Sequence, residues 1–311
     1  MDSQNYRKHR HLRVSMKVRL LATDGKGSFS ELEWDKPNNT ENEIEVKAVM
    51  TGVCRSDIDM MTGGFGPLPI EMSGHEGVGR VTQVGSNVSD VQVGDYVATR
   101  GEPAYADYYN VRKDEFVVIP QADPKYIIEP VACGINLIRQ AQHEIDKRKG
   151  NILILGSGFL AWVAYNTLKI DKVQNDITVV GRSNKDLWGD IMVPTIPEKK
   201  YEIVIDLSSG SAVFDEDFLA NQALIIFGAQ KKVTTDFANL LWKACTMVFP
   251  SPRNPEFIWH MKKAVYWIQS GQLDVDKFWT KCYNRNIEWD QAFADGKDRP
   301  SGYSRGYIKW D

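Results

Sequence analysis

Cysteine is scarce in this chain and nowhere clustered. The four residues Cys54, Cys133, Cys245 and Cys282 stand far apart with no CxxC pair. That spacing argues against both a disulfide framework and a structural zinc lobe of closely spaced thiolates, and it makes a reducing cytoplasm the default compartment. Long apolar runs are missing too: none approaches the roughly 20 residues needed to span a bilayer. Neither sign of charge dominates, since 38 Lys and Arg against 41 Asp and Glu leave a formal net charge of −3. Nothing in that balance calls for nucleic acid or an anionic membrane as partner. There is no internal repeat and no low-complexity segment. The basic run Arg7-Lys8-His9-Arg10-His11-Leu12-Arg13 lacks a following apolar signal core and reads as an extension before a first strand. A phosphate-binding arm is the alternative reading.

What is present suits two ordinary globular domains. The 311 residues, 42% hydrophobic and 25% charged, suffice for a sizeable buried core. Residues 16–120 read as short strands at 16–22, 43–50, 76–84, 96–99, 105–111 and 116–119. Glycines fall between or inside them, as in a small, curved β-barrel-like domain. A helix is predicted from Glu129 to Gln142. Beyond it, the apolar runs 151–155, 177–180, 202–206 and 223–227 alternate with helical segments, the pattern of a parallel, doubly wound sheet. The stretch between Val180 and Tyr201 is short for a full helix plus strand. Residues 257–270 carry helical periodicity with Ile258, Met261, Val265 and Ile268 on one face, and the tail from Leu273 returns to strand-and-turn character.

Directly after the apolar strand at 151–155 comes Gly156-x-Gly158-x-x-Ala161, opening a helix with Phe159 and Leu160. In that context the first glycine makes a tight turn, the second lets backbone approach a pyrophosphate, and the helix N-terminus faces the phosphates. An NAD site usually places Asp or Glu at the end of the second strand, whereas an NADP site has an arginine nearby. Here the strand ends Val180-Gly181-Arg182-Ser183-Asn184-Lys185, with no acid before Asp186. A guanidinium with a hydroxyl and Lys185 beside it suits a 2′-phosphate, so NADP(H) is expected over NAD(H). A solvated basic turn is the structural alternative.

Before the fingerprint stands a scattered set of ligand-type side chains: Cys54, the pair His75–Glu76, and Glu129. Cysteine, histidine and carboxylate are what a catalytic zinc takes, with one position left open for water or substrate. The ordered series Cys54-Arg55-Ser56-Asp57, Gly74-His75-Glu76-Gly77 with Gly79, Gly94-Asp95-Tyr96-Val97 and Glu129-Pro130, ending at Gly156, resembles the zinc-dependent medium-chain alcohol/polyol dehydrogenases, their sorbitol and threonine dehydrogenase branch in particular. The resemblance runs from about Met16 to the C-terminus.

That resemblance implies an α/β fold. A GroES-like catalytic domain (1–131 and 268–311) would be interrupted by a Rossmann dinucleotide-binding domain (132–267). It implies Cys54 and His75 as zinc ligands, Glu76 and Glu129 as carboxylates sharing or exchanging the remaining protein position, Ser56 as the proton-relay hydroxyl, and Asp57 as the carboxylate orienting the metal site. Relatives with a structural zinc carry four close cysteines after the Gly-Asp-x-Val segment. Here 98–110 contains none, so one catalytic ion and no structural zinc are expected. Many relatives place a histidine three residues after the relay hydroxyl. This chain has Asp59, so the proton exits at Asp59 or at water. The implied activity is hydride transfer between a nicotinamide and a small-molecule alcohol, ketone or aldehyde, in a homodimer or homotetramer assembled through the nucleotide-domain sheet edge. A zinc-independent enoyl or quinone reductase and a catalytically silent nucleotide-binding protein are the competing readings.

Overall fold

The computed structural model describes residues 16–66, 68–215, 217–229, 234–235 and 237–310. The basic run at 7–13 lies outside the described residues. The chain divides into two compact units: Met1–Tyr126 with Cys282–Asp298 and Tyr307–Asp311, and Ile127–Lys281 with Arg299–Gly306.

In the first unit the strand Glu43–Gly52 is the hub of a seven-stranded sheet. It pairs antiparallel with Gly77–Val84, Tyr108–Arg112 and Arg305–Lys309. Tyr96–Thr99 and Phe116–Ile119 continue the sheet beyond Gly77–Val84, and Trp279–Asn284 flanks the C-terminal strand. Ile44, Val46, Val78, Val81 and Val97 lie in the sheet's buried core, and most of their strand neighbours are buried as well.

Two elements here escape sequence patterning. The strand Phe29–Lys36, which forms an antiparallel two-stranded ribbon with Met16–Thr23, buries only its two end residues, so it carries no hydrophobic alternation to detect. The tail expected as strand and turn contains the helix Trp289–Asp298. Its aspartates and Gly296 are poor helix formers, but packing overrides propensity. The helix lies against Arg55–Met61, and the Phe293 ring stacks on Phe29 with centroids 3.8 Å apart.

The second unit is a parallel six-stranded sheet in the order Met192–Val193, Asp176–Val180, Asn151–Leu155, Tyr201–Asp206, Leu219–Phe227, Thr246–Val248. In chain order that is 3-2-1-4-5-6, the doubly wound arrangement that binds dinucleotides where the strand order reverses. Both faces are covered, which is why the strands read as unbroken apolar runs. Ile152, Ile154, Ile203 and Ile205 pack with Ala161, Ala164 and Leu168. Leu153, Leu155, Val204 and Ile225 pack with Val213, Phe218 and Leu240. The stretch after Val180 holds only the single-turn helix Lys185–Trp188, one 3₁₀ turn and a two-residue strand. In the helix Phe257–Gln269, Met261 and Val265 lie on the buried face with Phe257, His260, Ala264 and Trp267, while Ile258 and Ile268 border it half-buried.

One buried ion pair braces the first unit. Lys36 is 2% exposed; its Nζ lies 2.8 Å from Glu45 Oε2 and donates to Asn110 Oδ1 at 2.7 Å. Truncating one partner strands the other charge, which typically costs about 3–5 kcal/mol. Lys36→Met is therefore expected to lower the unfolding free energy, read from urea denaturation, by that order. Lys36→Met combined with Glu45→Leu should recover most of the loss; a double variant no more stable than the single one would contradict this account.

Candidate metal and nucleotide sites

The strand Glu43–Gly52 runs through Val53 into Cys54, the N-cap of the helix Arg55–Met61. Asp57, at the third helical position, closes that turn by accepting the Cys54 backbone N–H on Oδ2 at 2.8 Å. A carboxylate here meets the positive end of the helix dipole. His75 and Glu76 enter from the segment leading into Gly77–Val84, and the Gly52 N–H donates to the Glu76 carbonyl at 3.0 Å. Position 52 must be glycine: a Cβ there would lie 2.1 Å from Glu76 Oε2. The bare backbone is what lets the Glu76 side chain lie buried against this strand end. As a result one ligand-type atom each of Cys54, His75 and Glu76 falls within 4.8 Å of the others.

Around this trio the polar groups are directional. Asp57 is fully buried; its Oδ1 lies 3.7 Å from His75 Nδ1, and its Oδ2 also accepts the Tyr105 hydroxyl at 2.9 Å. A carboxylate beside Nδ1 favours the proton on that nitrogen and leaves Nε2 as the lone-pair donor. Ser56 Oγ sits 3.4 Å from that Nε2. Burial pushes the Asp57 carboxyl above the ordinary carboxylate range and Glu76 adds repulsion; His75, the Cys54 N–H and the Tyr105 hydroxyl pull it back down. Burial beside Asp57 likewise holds the Tyr105 phenol well above its usual range. Asp59 is engaged by Arg55, with Oδ1 3.3 Å from Nε one helical turn away.

Thiolate sulfur, imidazole nitrogen and carboxylate oxygen form a donor set that suits zinc. Zinc bonds of roughly 2.0–2.3 Å in a tetrahedron separate donors by about 3.3–3.8 Å, so a trio already within 4.8 Å needs only small side-chain rotations. All three donors come from the first unit. Glu129 belongs to the second, where it opens the helix Glu129–Asp146, is 4% exposed and accepts the Cys133 thiol on Oε1 at 3.2 Å. Cys133 is half-buried and serves as that donor.

In the second unit Gly156 adopts φ +120°, with the Leu207 carbonyl 3.2 Å from where a Cβ would stand; no other residue tolerates that turn. Gly158 caps the helix Phe159–Ile170, whose first N–H groups are open to phosphate. The Phe159 ring itself is buried against Phe278 and under the Arg305 guanidinium, leaving its backbone for a ligand, and Leu160 is half-buried. Arg182, Ser183 and Lys185 are exposed. Motif matching passes over what fixes this loop. The Ser157 carbonyl accepts both Asn184 Nδ2 and Trp188 Nε1 at 2.9 Å, and Ser157 Oγ donates to the Ser183 carbonyl at 2.7 Å. Only the x of the fingerprint and a tryptophan seven residues after Gly181 stand for this in the sequence, and neither belongs to a motif.

Residues 40–121 match the alcohol dehydrogenase GroES-like domain. D-arabitol-phosphate dehydrogenase of Enterococcus avium is 23% identical over 329 aligned positions, covering 86% of this chain and 91% of that protein. Among solved structures, an Escherichia coli short chain alcohol dehydrogenase complexed with NADH superposes with a TM-score of 0.78 at 17% identity, covering 94% of this chain and 99% of that one. A candidate zinc-binding dehydrogenase of Sinorhizobium meliloti bound to NADP gives 0.74 at 16%, covering 95% and 100%. The structural likenesses establish the two-part fold, GroES-like plus Rossmann. Together with the matched domain and the relative that aligns over nearly its whole length, they make this chain similar to alcohol and polyol dehydrogenases with a GroES-like domain.

Proposed function

We propose that this protein is a zinc-dependent oxidoreductase that moves a hydride between NADP(H) and a small alcohol or its ketone or aldehyde, with a polyol or secondary alcohol as substrate class. The observation that carries this reading is the convergence of Cys54, His75 and Glu76 within 4.8 Å in a chain whose other unit holds a fingerprint turn beside the switch point of a 3-2-1-4-5-6 sheet. Cys54 and His75 would hold the metal, and Glu76 or Glu129 would supply the remaining protein ligand. A bound zinc supplies Lewis acidity toward an alcohol or carbonyl oxygen.

The chain's own residues do the rest. Asp57, its Oδ1 3.7 Å behind His75 Nδ1, favours the ring state that presents Nε2. Ser56, its hydroxyl beside that nitrogen, would take the substrate proton. From Ser56 the proton leaves to water or to Asp59, whose carboxylate is steadied by Arg55. Gly156, Gly158 and the N–H groups of Phe159 and Leu160 would cradle the pyrophosphate, and Arg182, Ser183 and Lys185 the 2′-phosphate. A homodimer or homotetramer fits the terminal strand Thr246–Val248, near which Leu241, Trp242 and Phe249 are 75%, 85% and 69% exposed; apolar groups so open beside a sheet edge are a pairing surface. No helix among the described residues is long and apolar enough to cross a membrane, and a cytoplasmic location goes with the scattered thiols.

Three measurements test this. Cys54→Ser should strip zinc, read by elemental analysis, and lower turnover roughly 10³-fold, the several kcal/mol of Lewis-acid stabilisation at stake, with NADPH affinity unchanged. Normal turnover in that variant, or in a metal-free wild type, would favour a zinc-independent reductase; nucleotide binding without turnover on any alcohol or carbonyl would favour a silent binder. Arg182→Ala should weaken NADPH by roughly 10- to 150-fold, about 1.5–3 kcal/mol for hydrogen bonds to a charged group, and leave NADH nearly unaffected; equal losses for both would refute the phosphate role. Trp242→Glu should shift the sedimenting species to the monomer.

A further inference from the structure

Tyr105 has no part in the reading above, yet its hydroxyl touches the groups that place all three trio members. Its oxygen lies 2.9 Å from Asp57 Oδ2 and 3.0 Å from the Gly52 carbonyl, so that its single proton is shared between the two acceptors. Asp57 in turn binds the Cys54 N–H at 2.8 Å and faces His75 Nδ1 at 3.7 Å. Gly52 is the residue whose bare Cα accommodates Glu76. One phenol oxygen therefore lies a single residue away from Cys54, His75 and Glu76 at once.

We propose that Tyr105 is a positioning residue for metal binding, and that its hydroxyl rather than its ring sets how tightly Cys54, His75 and Glu76 hold the ion; the inference rests on the metal reading of that trio. The ring is an immobile mount for the hydroxyl. It is fully buried, edge-on to Phe29 at 5.9 Å and to Phe293 at 5.3 Å. Its backbone accepts the Leu21 N–H at 2.9 Å and donates to the Ser73 carbonyl at 3.3 Å. A rigid donor leaves Asp57 one way to lie, with Oδ2 committed to Tyr105 and Cys54 and Oδ1 turned to His75. Without the hydroxyl, Oδ2 keeps only the Cys54 N–H and the carboxylate can swing about its terminal torsion. That swing releases the imidazole, and the freed Gly52 carbonyl lets the strand end drift against Glu76. Loss of groups that orient ligands from behind usually costs 10- to 100-fold in metal affinity.

The test uses the full chain stripped by a chelator and titrated with Zn²⁺ against a chromophoric competitor, then loaded with Co²⁺ for its visible absorption. Tyr105→Phe keeps the ring and removes the hydroxyl. It should weaken Zn²⁺ roughly 10- to 100-fold and alter the Co²⁺ bands while the far-ultraviolet circular dichroism stays native. Asp57→Asn should weaken Zn²⁺ comparably, and the double variant should fall well short of the summed losses because both act through one contact. Phe293→Leu, which loosens the same ring but spares the hydroxyl, should lower the metal-free unfolding temperature and leave Zn²⁺ affinity nearly intact. Wild-type affinity in Tyr105→Phe would overturn the proposal, and so would an equal loss in Phe293→Leu, since packing alone would then explain it. A wild-type chain that binds no Zn²⁺ would instead overturn the underlying metal reading.

Discussion

The first unit is built around one constraint, the complete burial of the Asp57 carboxylate. A carboxylate withdrawn from water costs several kcal/mol unless charges and donors meet it. Here the Cys54 N–H, the Tyr105 hydroxyl and His75 meet it, and each arrives on a different piece of chain: a helix start, the segment before Tyr108–Arg112, and the entry to Gly77–Val84. Satisfying one buried group thus brings together three segments far apart in sequence. The ligand-type atoms converge because the Cys54 backbone is tied to Asp57, the Glu76 backbone to Gly52, and the His75 ring faces the Asp57 carboxylate.

The second unit solves a similar problem with Ser157. Its carbonyl accepts two donors from the loop after Val180, and its hydroxyl reaches the Ser183 carbonyl. The Gly156 turn and the loop carrying Arg182 are therefore tied together. This also explains how so short a connection suffices after Val180. Trp188, 2% exposed and edge-on to Trp162 and Tyr165, supplies from a single helical turn the packing that a longer helix would otherwise provide.

What could be read from the sequence divides along physical lines. The sheet of the second unit was legible because strands covered on both faces are apolar throughout, and Gly156 and Gly158 because a tight turn admits few residues. Cys54, His75 and Glu76 were legible because their donor atoms are chemically rare in combination. The strand Phe29–Lys36 was not, since it buries little. The helix Trp289–Asp298 was not either, since contacts with Arg55–Met61 and Phe29 rather than its own residues make it a helix. Tyr105, Asn184 and Trp188 act through hydrogen bonds to residues 48, 27 and 31 positions away. A tyrosine that donates to a remote carboxylate looks in sequence like any tyrosine in a β-rich segment.

The electrostatics around the trio favour a cation independently of any family likeness. Asp57 and Glu76 are both fully buried and repel each other, a repulsion that contributes to the upward push on Asp57. A thiol lies beside them whose useful form at a metal is also an anion. Like charges held this close in a buried site repel one another. A divalent cation among these donors inverts that balance: it favours thiolate and carboxylate together, and it turns mutual repulsion into the ligand field. Tyr105, held edge-on against Phe29 and Phe293, covers the Asp57 side of this cluster. On the proposed reading, then, the same burial that makes Asp57 costly to hold is what makes the neighbouring trio selective for a cation.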